Sequence, residues 1–191
     1  MTTGDTQTGD ETHTRSAAAA GYPDLRPELA AAQEWLAGLI DAVSPRQRSW
    51  PTPCREYTVQ DLVGHVCAAV ERLHLMGEGQ DPADTEQVQR LPDDTGTWGR
   101  TFRTIAEPAR ASWKDERLTA EVIAPWGPVP GWSVVAMHLC EALVHGWDLA
   151  VATGQPAEAD QAVAEAGLAA GRTEQLANYF GRARPTTASP A

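Results

Sequence analysis

The segment MHLCEALVHGWDLA, residues 137–150, constrains this chain more than any other stretch. It is apolar enough to belong inside a protein, yet it carries His138, Glu141 and His145. Glu141 and His145 are four residues apart, so a helix stacks them about 40° apart on one face. His138, three residues before Glu141, joins that face. Three titratable groups on one side of an otherwise apolar helix are costly unless something pairs with them. The chain must therefore set another element, with matching chemistry, against this helix.

His65 in DLVGHVCAAV is the natural counterpart. It sits among Leu62, Val63, Val66 and Ala69, where burial is expected. Helical bundles build metal sites by pointing Glu and His inward from facing helices. Two imidazoles and one carboxylate leave coordination positions open for water or substrate, as catalytic sites do. Taken alone, a Glu-x-x-x-His pair is weak: it is not the HExxH arrangement, and charged helix faces produce such pairs by chance. A single His on an apolar face is usually a satisfied core histidine. Spacing leaves both readings open.

Hydrophobic periodicity divides the chain into long helical segments. The first spans about 24–43, with Leu29, Trp35, Leu36, Leu39 and Ile40 at helical spacing. Prolines 45, 51 and 53 forbid helix in the loop that follows. Thr58 then offers an N-cap, with Asp61 three residues on in a capping-box arrangement. Gly77 and Gly79 are expected to end this second helix. A third covers about 97–114, and Pro108 should kink or break it. The Pro/Gly-rich APWGPVPGW leads to a fourth helix, expected from about Ser133 to Thr153, and an Ala-rich fifth covers about 158–179. No segment reads clearly as a strand; the stretch around Val122 is at most weakly pairing. The predicted architecture is all-α, a four-helix bundle with an additional C-terminal helix, over residues 21–181. The polar, Thr-rich residues 1–20 and the stretch 182–191 are expected to be disordered tails without chemistry.

A formal charge of -11 without any Lys/Arg run argues against nucleic acid and against an anionic membrane surface. No run approaches the eighteen or so apolar residues of a membrane span, and the N-terminus does not read as a signal peptide, so a cytoplasmic location is expected. The three cysteines, Cys54, Cys67 and Cys140, are far apart and odd in number, which points to free thiols rather than a disulfide framework.

The neighbours of the candidate ligands each have two readings. His138 is a fourth ligand or a group beside the site, or else a partly exposed histidine near the helix start. Asp148, three residues beyond His145, is placed to orient a ring N–H; a bond to the loop before the second helix is the favoured alternative. Asp61, four before His65, could do the same for that ring, but capping explains it more simply. Trp147 reads as core, and His74 as surface. Trp126 and Trp132 flank the entry to the fourth helix, where they would wall a pocket or pack under the loop. Gly146 costs about 1 kcal/mol in a helix interior relative to Ala, which close approach of a neighbouring helix would explain.

The segments TPCREYTVQDLVGHV (52–66) and CEALVHGWDLAVATGQP (140–156) together resemble the mycothiol-dependent maleylpyruvate isomerase group of the DinB-like superfamily, over roughly residues 24–180. The resemblance implies a DinB-like bundle holding one divalent metal between helices. By motif, the family's second-helix histidine falls on His65 and its Glu-x-x-x-His pair on Glu141 and His145. It further implies a metal-dependent enzyme that activates a small-molecule thiol, mycothiol as cosubstrate, for S-transfer to an electrophile or for its isomerisation. Zn(II) suits the ligands first, and Ni(II) and Fe(II) also accept them. The family's isomerase has a further C-terminal domain, and this chain ends about where that domain would begin, so a short form is expected. A non-catalytic metal-binding or ligand-sequestering protein and a non-haem Fe(II) oxygenase are the alternatives. The expected partners are a small thiol and an electrophilic substrate, with a homodimer as the assembly to test.

Overall fold

The computed structural model describes residues 21–173 and Leu176. The tails expected at 1–20 and 182–191 lie outside these residues, as does most of the stretch 174–179 expected to finish the last helix. The described residues form a mostly helical protein: α1 (Arg26–Asp41), α2 (Val59–Gly77), α3 (Trp98–Ala111), the short α4 (Asp115–Thr119), a β1–β2 hairpin (Glu121–Ala124 and Gly127–Pro130), α5 (Gly131–Thr153) and α6 (Gln161–Gly171). Helices α1, α2, α3 and α5 pack around one core, and α6 leans on α5 and α1. Trp98, Phe102, Leu36, Ile40, Leu62 and Leu139 are among its fully buried side chains. This is the expected bundle with an additional helix.

Local chemistry sets the ends of α2 and α5. Thr58 accepts from the Asp61 N–H while Asp61 accepts from Thr58, closing the capping box that starts α2. Gly154 ends α5 at φ 71°, a left-handed position that glycine adopts without strain. The 23 residues of α5 make it long and apolar enough to cross a membrane, but 67% of its most apolar window is buried inside the protein, so the bundle accounts for its composition. Pro108 does not break α3 where expected: it lies inside the helix, which ends three residues later at Ala111.

The hairpin corrects the expectation of no strand. Val122 pairs with Val129 and Ala124 with Gly127, and Val122 and Ala124 face the core while Glu121 and Ile123 face out. Pro128 and Pro130 obscure the pattern in sequence; they are tolerated because β2 is an edge strand. The hairpin also starts α5 earlier than expected, at Gly131, whose N–H donates to Ala120.

Two connections are tied to α2. The loop before it is pinned by Val59 N–H donating to Trp50 O and by Thr52 Oγ1 donating to Cys54 O and Tyr57 O. The loop after it folds back so that Gln89 N–H donates to Gly64 O at 3.0 Å. A Cβ on Gly64 would lie 2.5 Å from Gln89 O and 2.8 Å from Val88 Cγ1, so only glycine admits this approach.

Candidate metal centre

His65 projects from the middle of α2, and Glu141 and His145 from consecutive turns of α5. Their donor atoms, two imidazole nitrogens and a carboxylate oxygen, lie within 4.8 Å of one another. Both Nε2 atoms converge on the same oxygen: Glu141 Oε2 is 3.3 Å from His145 and 3.7 Å from His65. The rings stand nearly perpendicular, with centroids 5.1 Å apart. All three side chains are mostly buried, 12–15% exposed, so water screens little of their mutual interaction.

Each histidine has its far nitrogen backed. His145 Nδ1 lies 3.1 Å from Asp148 Oδ2, and His65 Nδ1 lies 3.1 Å from Gln87 O. Those acceptors favour a proton on Nδ1 of each ring and leave Nε2 to face Glu141. Tyr57 stacks on His65, with its hydroxyl 3.2 Å from the same Nδ1. Asp148 therefore serves His145 rather than the favoured alternative of bonding the loop before α2. Asp61 stays in the capping box with Thr58, the simpler of its two roles.

The charges are strongly coupled. Burial acts to raise the Glu141 carboxyl, but the facing His145 and His65 rings, 3.3 and 3.7 Å away, prevail and hold it far below the usual carboxylate range. Burial acts to lower His145, and its bonds to Glu141 and Asp148 prevail and raise it. Without a cation the cluster favours a carboxylate beside a protonated ring. A divalent ion fits the same place, since the donor set is two oriented nitrogens and an ionised oxygen.

A second group of donors, Cys54, His145 and Asp148, also lies within 4.8 Å. It fits a cation less well: burial and nearby acidic groups raise the Cys54 thiol, and the His145 nitrogen on that side is engaged by Asp148. Cys67 and Cys140 stand apart; burial pushes their thiols up to about 12 and about 11.

His138 is not partly exposed near the helix start. It is 4% exposed, held neutral by burial that lowers it to about 4, and its Nε2 has no hydrogen-bond partner. It falls outside the three-donor group but lines the adjoining cavity with His65 and Glu141. Trp126, at the hairpin turn, walls the same cavity, whereas Trp132 stacks on Tyr22. Trp147 is 50% exposed rather than core, on an outer stripe of α5 with Val144 and Val151. An almost uniformly apolar helix gives no contrast by which periodicity could rank that face. His74, expected at the surface, is half-buried in the last turn of α2. Gly146 is explained as expected by close approach, since a Cβ there would overlap the Trp35 ring from α1.

Sequence reasoning missed Tyr57, Gln87 and Cys54 as neighbours of the site. Tyr57 had one usable signal, its place just before the N-cap of the helix that carries His65. Gln87 acts through its backbone carbonyl, which no residue type announces.

The sequence pattern of the mycothiol maleylpyruvate isomerase N-terminal domain matches residues 29–150, from the start of the core in α1 through Glu141, His145 and Asp148. Two uncharacterized proteins, from two strains of Mycobacterium tuberculosis, are each 30% identical over 154 residues, covering 81% of this chain and 81% of theirs. No solved structure matches.

Proposed function

The chain belongs to the mycothiol maleylpyruvate isomerase N-terminal domain family, and on that premise we propose that His65, Glu141 and His145 hold one divalent metal ion that activates a small, mycothiol-like thiol. The reaction is S-transfer to an electrophilic small molecule, or isomerisation of it. The observation that carries this reading is the convergence of three donors from two helices, with both imidazoles backed on their far side. A cluster built only to satisfy itself has no need for the second set of contacts.

Bound there, the ion would supply a charge that keeps a coordinating thiol deprotonated, and the thiolate is the nucleophilic form. The protein's own residues do the rest. Asp148 and the Gln87 carbonyl keep the Nδ1 protons in place, so both Nε2 lone pairs stay directed at the centre. Glu141, held ionised, lowers the cost of collecting positive charge in a largely buried site. Tyr57 covers one face of His65 and limits water there. With three protein donors, positions remain for an exogenous ligand.

Co(II)-loaded protein titrated with a small thiol tests the proposal. A new sulfur-to-metal charge-transfer absorption is expected, absent in His65→Ala. Loaded protein whose spectrum no thiol alters contradicts thiol activation. Thiol-independent oxygen consumption by the Fe(II) form would favour oxygen chemistry instead.

A further inference from the structure

Beside the donor cluster, between α2, α5 and the hairpin, lies a cavity of about 140 Å3. Apolar side chains from all three elements line it: Ala69 and Met76 of α2, Met137 of α5, and Pro125 and Trp126 at the hairpin turn. His65 and Glu141, two of the three clustered donors, form another part of the wall. An apolar cavity of about 150 Å3 holds one benzene ring, so the space here matches a single ring or a short branched chain. Polar groups around it are already engaged with the protein. His65 Nδ1 lies 3.1 Å from Gln87 O and its Nε2 3.7 Å from Glu141, and Arg72 Nη1 donates to Glu86 O. A guest that brings carbon leaves those contacts intact.

The indole of Trp126 is carried on backbone with little freedom to withdraw. Pro125 and Trp126 form a two-residue turn closed by the Ala124–Gly127 pair, and Gly127 sits at φ 123°, a conformation that residues with a side chain rarely adopt. Val122 and Ala124 fix the first strand in the core. Trp126 is 44% exposed, so it meets solvent as well as the cavity. We propose that this cavity is the subsite for a compact carbon group, about one ring in size, of a reactant at the metal centre, and that Trp126 sets the size limit. Burial of apolar area supplies the binding, and the methionine side chains adapt to varied outlines, so size is selected more strictly than shape. That the guest is a reactant rests on the metal-centre reading above; the subsite and its limit do not. The carbon skeletons of the thiol and of the electrophile share this chemistry.

The test uses metal-free full-length protein with isotope-labelled methionine methyl groups, titrated with benzene and with naphthalene and followed by NMR. The Met76 and Met137 signals are assigned from Met76→Leu and Met137→Leu. Benzene is expected to shift both signals saturably, and naphthalene to bind about tenfold more weakly, although its larger apolar area would favour it in an unrestricted site. In Trp126→Ala that order should reverse, and Trp126→Phe should fall between. No saturable shift with benzene, naphthalene bound as tightly as benzene by the parent, or an order unchanged in Trp126→Ala would each overturn the proposal. If Trp126→Ala does not fold, the parent's order and Trp126→Phe decide. Co(II)-loaded protein then separates the two sources of the guest. Benzene that competes with benzenethiol assigns the cavity to the thiol's own carbons, and benzene bound together with benzenethiol assigns it to the electrophile. Because the size test contains no metal, failure of the metal centre would appear in metal content and leave its result standing.

Discussion

His65 and His145 each have a glycine next to them in the chain, and the two glycines do different work. Gly64 lets the backbone of the following connection touch α2, which brings the Gln87 carbonyl to His65. Gly146 admits the Trp35 ring from α1 and contributes only packing, because His145 draws its acceptor from Asp148 on its own helix. One histidine is oriented by a segment more than twenty residues away, the other by local helical spacing. The comparison teaches that orientation and packing can be separated at this site: disturbing Gly64 should affect both, and disturbing Gly146 only one.

The largest effect should come from Gly64→Ala. Its Cβ would press on a backbone oxygen that cannot rotate away, so the connection must shift and His65 loses its acceptor. We expect a loss of about 1–3 kcal/mol in denaturant unfolding. Metal affinity in the same protein should fall by about 10–100-fold. An unchanged affinity would show that the Gln87 contact does not orient His65.

Asp148→Ala removes the local acceptor instead. Metal affinity is again expected to fall by about 10–100-fold, with a smaller effect on folding of the loaded protein than Gly64→Ala. An unchanged affinity would show that Asp148 does not orient His145.

Gly146→Ala sharpens the contrast. Removing a helical glycine contributes about 1 kcal/mol of stability, while displacing the Trp35 ring costs about 1–3 kcal/mol, so a net loss of about 1 kcal/mol is expected by urea denaturation. Metal affinity should not change. In a Trp35→Ala background the same substitution should become stabilising.

The smallest effect concerns pH and the metal-free protein. Glu141 is depressed below its ordinary 4.5, so its contribution is present above that value and is lost as pH falls through the folded pKa. His145 is raised above its ordinary 6.5, so its contribution is present below that value and is lost as pH rises through the folded pKa. Stability should therefore peak on the mildly acidic side and decline in both directions. Glu141→Gln should flatten both flanks. Metal affinity should show the opposite trend on the alkaline side, rising as His145 gives up the proton that competes for Nε2.

Much of this arrangement was legible in the sequence because it is helical. Periodicity located the packed helices, the Thr58–Asp61 box marked the start of α2, and four-residue spacing put Glu141 and His145 on one face. What escaped depended on contacts without a periodic signature. The hairpin was hidden because its second strand, Gly127–Pro130, is half proline. The depth of His138 depends on how closely α2 and the hairpin cover α5, which α5 alone cannot reveal. Trp147 escaped for the converse reason, since among the described residues that side of α5, with Val144 and Val151, is left about half exposed. The Gln87 acceptor belongs to a connection placed by Gly64, and a glycine inside a helix can have several causes.

In the proposed centre two helices hold one metal ion through His65, Glu141 and His145. Elemental analysis of tag-free protein, after reconstitution with Zn(II), Ni(II) or Fe(II) and removal of loose metal, tests it most directly. About one equivalent is expected in the parent, lost in both His65→Ala and His145→Ala while the helical circular dichroism persists. A parent that stays metal-free with all three ions, or variants that keep the full equivalent, would contradict it.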